Sequence, residues 1–180
     1  MTLRSLPIAV LAAFCCATIA QAKEVPIGDG KEQEGMRISA VYLQPIEMDP
    51  PGMMREAKES DVHLEADIKA AKGNLNGFAE GDWIPYLKVN FELVHLDDNK
   101  TLKGEFMPMV ASDGPHYGDN VKLFGPGKYK LILTIMPPSE NAHAHFGRHV
   151  DKETGVGPWF KSFLVEWEFV YAGAGKKGAY

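Results

Sequence analysis

Four segments of the chain alternate between apolar and polar residues, and this period of two constrains the fold more than any other feature. The apolar members are Val62, Leu64, Ala66 and Ile68; Leu87, Val89, Phe91 and Leu93; Tyr129, Leu131, Leu133 and Ile135; and Phe163, Val165, Trp167, Phe169 and Tyr171. Because successive side chains of a β-strand point to opposite faces, the pattern predicts half-buried strands. Residues 38–43 and 101–110 are two further predicted strands, and no long segment has the 3.6-residue period of a helix.

Clusters of glycine and proline separate these segments, at residues 50–52, 125–127, 137–138 and 155–158. Such clusters end strands in turns. Six or more half-buried strands within about 150 residues are typical of an antiparallel β-sandwich. The sequence therefore predicts an all-β fold in one domain.

The first 22 residues are expected to be a cleaved secretory signal peptide. Arg4 precedes an apolar stretch from Leu6 to Ala20, and Ala20-Gln21-Ala22 matches an A-x-A cleavage site. An uncleaved anchor helix is the alternative. We expect an exported protein whose single domain is residues 23–180. Both cysteines of the chain lie in the segment to be removed, so any soft metal ligand of the mature protein must be methionine.

Charge and motifs exclude several functional classes. The chain has 19 Lys+Arg against 24 Asp+Glu, a formal net charge of -5. Nucleic-acid-binding proteins usually carry a basic patch, so we expect no nucleic-acid partner. The sequence lacks G-x-S-x-G, H-E-x-x-H and any Cys–His pair in the mature chain, so no catalytic nucleophile or common zinc-protease site is predicted.

His63 and Glu65 are the first candidate metal ligands. They are two positions apart in an alternating segment, so their side chains share one face of the predicted strand, opposite its apolar row. A His-x-Glu pair on a strand suits a metal ion, and a solvated outer face is the alternative interpretation. His95, at the end of another strand and before two aspartates, is expected to be a surface residue.

Met109 and His116 are the next candidates. Met109 shares a face of its predicted strand with Glu105 and Met107, and the chain then turns, so that Met109 and His116 can converge across the turn. An isolated methionine is more often core filler. A thioether near imidazoles and a carboxylate, in a protein without thiols, nevertheless favours a copper site.

Three further histidines, His143, His145 and His149, fall within seven residues. Such a dense cluster indicates transition-metal binding. The alternative is a flexible polar loop, and we expect one of the three to be a ligand rather than all of them.

Five segments resemble the periplasmic iron-transport proteins of bacteria, small exported metal-binding proteins associated with iron permeases. They are residues 40–48, 61–68, 83–86, 106–118 and 146–157. The fourth, Phe-Met-Pro-Met-Val-Ala-Ser-Asp-Gly-Pro-His-Tyr-Gly, is long and specific. The resemblance implies an immunoglobulin-like antiparallel β-sandwich that forms a homodimer and binds copper, with iron as the cargo.

The resemblance also implies a set of metal ligands in this chain. They are His63, Glu65, Met109, His116 and His149. It does not extend to His143 and His145. It suggests the acidic segment containing Glu47 and Asp49 as a second site for a harder metal.

The sequence thus predicts a periplasmic metal-binding protein, not an enzyme. It would capture copper and iron and take part in iron uptake together with an inner-membrane iron permease. Two alternatives stay open. One is a periplasmic copper chaperone or copper-tolerance protein. The other is a metal-dependent oxidoreductase such as a ferric reductase, which would need an open coordination position and an electron donor.

Overall fold

The computed structural model describes residues 23–174, which form nine strands and two short 3-10 helices. The predicted signal peptide lies outside the described residues. Within them, no helix is long and apolar enough to cross a membrane. The strands are β1 (Val25–Pro26), β2 (Lys31–Gln33), β3 (Met36–Leu43), β4 (Val62–Ala70), β5 (Lys88–His95), β6 (Lys100–Ala111), β7 (Gly114–Val121), β8 (Gly127–Met136) and β9 (Phe163–Tyr171). The 3-10 helices are Ala57–Glu59 and Pro138–Glu140.

All strand pairs are antiparallel, in the order β1-β3-β4-β7-β6-β5-β8-β9, with β2 also paired to β3. The long strand β6 belongs to both halves of this order. Its first part, up to Phe106, pairs with β5, and its second part, from Met107, pairs with β7. The sheet is therefore divided at β6 into one half containing β3, β4 and β7 and another containing β5, β8 and β9.

The two halves pack their apolar faces together. The alternating residues of β8, from Tyr129 to Ile135, are fully buried, and they belong to the same core cluster as Leu64 and Ile68 of β4. Burial of one such large side chain stabilises the fold by about 1.5–3 kcal/mol. Beyond β6 the halves also meet where Tyr42 of β3 packs against Phe169 of β9, with ring centroids 5.7 Å apart.

The four strands predicted from the alternation are confirmed as β4, β5, β8 and β9, and the two further predicted strands are confirmed as β3 and β6. The all-β, antiparallel part of the fold prediction is confirmed as well, whereas the immunoglobulin-like topology stays a prediction. The sequence did not predict β7 as a strand and assigned His116 to a turn. The turn is shorter than expected, between Ala111 and Gly114, and His116 lies on β7. Gly114, Pro115 and Gly118 weaken the strand signal there.

The expectation that His95 is a surface residue is wrong, because only 7% of it is exposed. The turn after β5 folds back, so that His95 Nδ1 lies 2.6 Å from Asp98 Oδ1. The imidazole also packs on Tyr129, with ring centroids 4.8 Å apart. Gly127 makes room for it, since a Cβ there would collide with the ring.

Candidate metal site

Strands β4 and β7 bring the candidate ligands together in the middle of their half of the sheet. In their ladder His63 lies opposite Asn120 and Glu65 lies opposite Gly118. Residues that are directly opposite share a face, and so do residues two positions apart. His63, Glu65 and His116 therefore all point to the outer face of this half, away from the core.

These three side chains form a compact buried cluster. Glu65 Oε1 lies 3.5 Å from His63 Nε2 and 3.4 Å from His116 Nε2. One potential ligand atom from each residue falls within 4.8 Å of the others, and no further group of three or more His, Cys, Asp or Glu side chains meets this condition within residues 23–174. The exposed fractions are 0% for His63, 6% for Glu65 and 5% for His116.

The interpretation of His63 and Glu65 as part of a solvated face is therefore wrong. The segment between β3 and β4 lies against this face at Asn120, whose side-chain amide forms hydrogen bonds with backbone groups of Ile46 and Arg55. The alternation of β4 identified the face correctly. It could not show that a segment from elsewhere in the chain covers that face.

Burial sets the charge of the cluster. It lowers the pKa of His63 to about 4 and also lowers the pKa of His116. It raises the pKa of Glu65 to about 8, with a further contribution from the nearby carboxylates of Glu24 and Asp113. At neutral pH both imidazoles are thus neutral and able to act as ligands, and the carboxyl group is protonated in the absence of a cation.

Neither imidazole has its Nε2 atom satisfied. His63 Nε2 and His116 Nε2 are buried, and neither has a hydrogen-bond partner in the described part of the chain. Buried polar atoms are usually paired, because an unpaired one costs about 1–3 kcal/mol. Two imidazole Nε2 atoms without partners and a carboxyl group close to one another fit a transition-metal ion.

Gly118 provides space beside this position. A Cβ atom at Gly118 would lie only 2.8 Å from His63 Nε2 and 3.1 Å from the carbonyl oxygen of Leu64. Glycine at this position therefore avoids a steric clash with the potential donor atom of His63.

The structure places Met109 next to the cluster. Met109 lies directly opposite His116 in the ladder between β6 and β7 and is half-buried. Directly opposite side chains in an antiparallel pair have Cβ atoms about 4.5–5.5 Å apart. Met109 and His116 therefore share one face of this ladder, and the role of the Met109 thioether as a ligand stays a prediction.

His149 is not part of the cluster in this structure. It lies in the long connection between β8 and β9, its side chain is 74% exposed, and its Nδ1 is 2.7 Å from Thr154 Oγ1. His143 and His145 are exposed in the same connection. Glu47 and Asp49 are exposed in the segment between β3 and β4. The role of His149 as a ligand and the second site at Glu47 and Asp49 stay predictions.

Sequence reasoning missed Asn120 and Gly118. Both lie at two-residue intervals from His116 on β7, so they share its face. The same period of two that identified His63 and Glu65 would have found them if residues 114–121 had been predicted as a strand.

Comparisons with known proteins show the family of the chain. A family described as Fe2+ transport protein matches residues 21–173, and the chain belongs to this family. An UPF0423 protein of Brucella abortus (strain 2308) is 76% identical over 161 residues, which are 89% of this chain and 88% of that protein. A 34 kDa membrane antigen of Treponema pallidum is 40% identical over 150 residues, covering 81% and 72% of the two chains.

Solved structures of similar proteins include copper-containing ones. Copper-reconstituted P19 from Campylobacter jejuni superposes with a TM-score of 0.82 at 52% identity, over 86% of this chain and 99% of that one. A copper-bound variant of FetP from uropathogenic Escherichia coli strain F11 superposes with a TM-score of 0.80 at 52% identity, over 84% and 99%.

Proposed function

We propose that this protein captures copper and iron ions in the periplasm and takes part in iron uptake together with an inner-membrane iron permease. The observation that carries the proposal is the buried cluster of His63, Glu65 and His116 with its two unsatisfied Nε2 atoms. Membership of the Fe2+ transport protein family and similarity to copper-containing P19 and FetP structures support it.

The donor set explains how one site accepts both metals. His63 and His116 offer neutral imidazole nitrogens, which suit both copper and iron. Glu65 gives up its proton when a cation binds, and its carboxylate then supplies negative charge and a hard oxygen donor. Met109, opposite His116, adds a soft thioether that suits Cu(I).

We also propose that the chain forms a homodimer and that His149 completes the ligand set. His149 and its neighbour Val150, which is 75% exposed, are accessible on the surface of one chain. His149 can reach the buried cluster in two ways. The connection between β8 and β9 can move within one chain, or His149 can come from the second subunit of the dimer. Sedimentation at micromolar concentration should show a dimer, and a monomer alone would contradict this part of the proposal. His149→Ala should weaken copper binding.

The test of the main proposal is elemental analysis of the protein purified from its own periplasm. The parent protein should contain copper or iron in near-stoichiometric amount, and His116→Ala should lose most of it. His145→Ala is the matched control, because it removes an exposed imidazole outside the cluster and should retain the metal. A parent protein free of both metals would refute metal capture.

The iron-uptake part needs a separate test in cells. Deletion of the gene should slow growth under iron limitation, and the deletion should have no additional effect in a strain that already lacks the permease. An equal growth defect with and without the permease would contradict the partnership.

We propose a binding protein rather than an enzyme. With an electron donor and Fe(III) supplied in excess, the copper-loaded protein should show no more than a single turnover. Sustained steady-state reduction would favour the oxidoreductase alternative instead.

A further inference from the structure

The side chain of Asn120 is fully engaged in hydrogen bonds. It is 3% exposed on β7, and its Nδ2 donates to the carbonyl oxygens of Ile46, at 2.8 Å, and Arg55, at 2.9 Å. Its Oδ1 accepts from the backbone N–H of Ile46 at 3.2 Å. Oδ1 also lies 3.0 Å from His63 Nδ1.

These contacts fix which way the amide points. If the oxygen and nitrogen of Asn120 were exchanged, the NH2 group would face the N–H of Ile46, and the oxygen would face the carbonyls of Ile46 and Arg55. Donor would then face donor and acceptor would face acceptor, so all three hydrogen bonds would be replaced by repulsive contacts. The backbone of the segment between β3 and β4 therefore holds Oδ1 toward His63.

The orientation of the amide in turn fixes the proton on His63. An amide oxygen can only accept a hydrogen bond, so Nδ1 of His63 must carry the hydrogen and donate it. A neutral imidazole carries one such proton, which leaves Nε2 with a free lone pair. Nε2 is the nitrogen that faces Glu65 and has no partner among residues 23–174.

We propose that Asn120 is a positioning residue that selects the Nδ1–H tautomer of His63 and so presents Nε2 to the metal. Histidine ligands commonly donate their second ring N–H to a neighbouring acceptor, and loss of that acceptor typically lowers metal affinity by about 10- to 100-fold. The inference about metal binding rests on the proposed function, whereas the inference about the tautomer concerns the metal-free protein alone.

The alternative is that Asn120 only holds the segment at Ile46 and Arg55 in place and does not affect the tautomer of His63. Two substitutions distinguish this alternative from the proposal. Asn120→Ala removes the acceptor for His63 together with the bonds to the segment. Asn120→Asp keeps an oxygen acceptor for Nδ1–H but removes the two donors to the carbonyls. If Asn120 only clamps the segment, Asn120→Asp should disturb the site at least as much as Asn120→Ala, because its second oxygen faces the carbonyls of Ile46 and Arg55.

The experiment is long-range 1H–15N NMR of the metal-free protein at neutral pH, which reports the proton on each histidine nitrogen. The parent and Asn120→Asp should show His63 protonated on Nδ1. Asn120→Ala should shift His63 toward the Nε2–H form. Asn74→Ala is the matched control, because Asn74 also joins backbone groups, at Gly35 and Asn76, but lies outside the cluster; His63 should be unchanged in it.

Copper titration gives the second readout. Asn120→Ala should bind Cu(II) about 10- to 100-fold more weakly than the parent, and Asn120→Asp should bind more tightly than Asn120→Ala. A parent protein with His63 in the Nε2–H form would overturn the proposal, and this holds even if Asn120→Ala fails to fold. An unchanged tautomer in folded Asn120→Ala would overturn it too. If the tautomers behave as expected and the parent binds no copper, the proposed function fails while the assignment of the tautomer is upheld.

Discussion

Replacement of Gly118 by alanine should weaken metal binding by an amount that can be measured separately from its effect on the stability of the fold. Gly118 has no positive φ, so alanine fits its backbone conformation. The new Cβ would lie 2.8 Å from His63 Nε2, whereas an ordinary contact begins at 3.4 Å. The imidazole must therefore move by at least the difference, 0.6 Å. The methyl group would also occupy space next to the atom that binds the metal.

The two effects can be estimated separately. Added volume in a packed region costs about 1–3 kcal/mol, and alanine recovers about 0.4–1 kcal/mol by restricting the unfolded chain. The metal-free variant should thus lose at most about 2.5 kcal/mol. If displacement of the imidazole destabilises the metal complex by about 2 kcal/mol more than the metal-free protein, the affinity for copper falls by about 30-fold. Copper at 100 times the parent dissociation constant then stabilises the variant by only about 0.9 kcal/mol, against about 2.7 kcal/mol for the parent.

The assay is chemical unfolding of both proteins with and without this concentration of Cu(II). Gly147→Ala is the control, because a Cβ at Gly147 meets no atom within 4 Å. It should leave the stability and the copper effect unchanged. If Gly118→Ala binds copper within about twofold of the parent while it folds normally, the metal does not lie beside His63 Nε2, and the assignment of the site is wrong.

Three other predictions concern single side chains. Met109→Leu should lower Cu(I) affinity more than Cu(II) affinity at a folding cost below about 1.5 kcal/mol, measured by titration against Cu(I) and Cu(II) chelators; equal binding of both forms would make Met109 core filler. Burial raises the pKa of Glu65 from 4.5 to about 8, so Cu(II) binding at pH 7 should release a proton. Without metal, the free energy of unfolding contributed by this carboxyl group should be fully present below pH 4.5 and be lost progressively as pH rises to about 8. Calorimetry in buffers of different ionisation enthalpy and unfolding at several pH values check this, and Glu65→Gln should abolish both effects. His95→Ala should lower the free energy of unfolding by about 1–3 kcal/mol and leave copper affinity unchanged. A large loss of copper affinity would mean that the β5–β6 hairpin, where His95 lies, influences the metal site.

The strand that carries His63 shows what the sequence can predict about this site. The alternation of β4 predicts both the strand and the face shared by His63 and Glu65, because these depend on neighbouring residues only. The burial of that face involves contacts that are distant in sequence, such as those of Ile46 and Arg55 with Asn120 across separations of 74 and 65 residues. Single-sequence periodicity contains no information on such contacts, so the solvated alternative could not be rejected.

His116 and His95 illustrate the same limit in two ways. Glycine and proline around His116 resemble a turn, yet pairing with both β4 and β6 keeps this segment extended. Tertiary pairing here overrides local propensity. His95 stands beside two aspartates, a polar context that is typical of surfaces, but the adjacent Gly127 lets its ring pack inward. A glycine 32 positions away along the chain cannot be connected with His95 without the register of β5 and β8.

The pairing of β4 with β7 has a kinetic consequence. Glu65 and His116 are 51 positions apart in the sequence, and β5 and β6 lie between their strands. Contacts so distant in sequence carry a loop-closure cost, so the local hairpins β5–β6 and β6–β7 are expected to form before them. We therefore expect the three ligands to meet late in folding, after the rate-limiting barrier has been crossed. An interaction absent at that barrier slows unfolding without accelerating folding. Copper should accordingly prolong the lifetime of the finished molecule and leave the rate of its assembly unchanged.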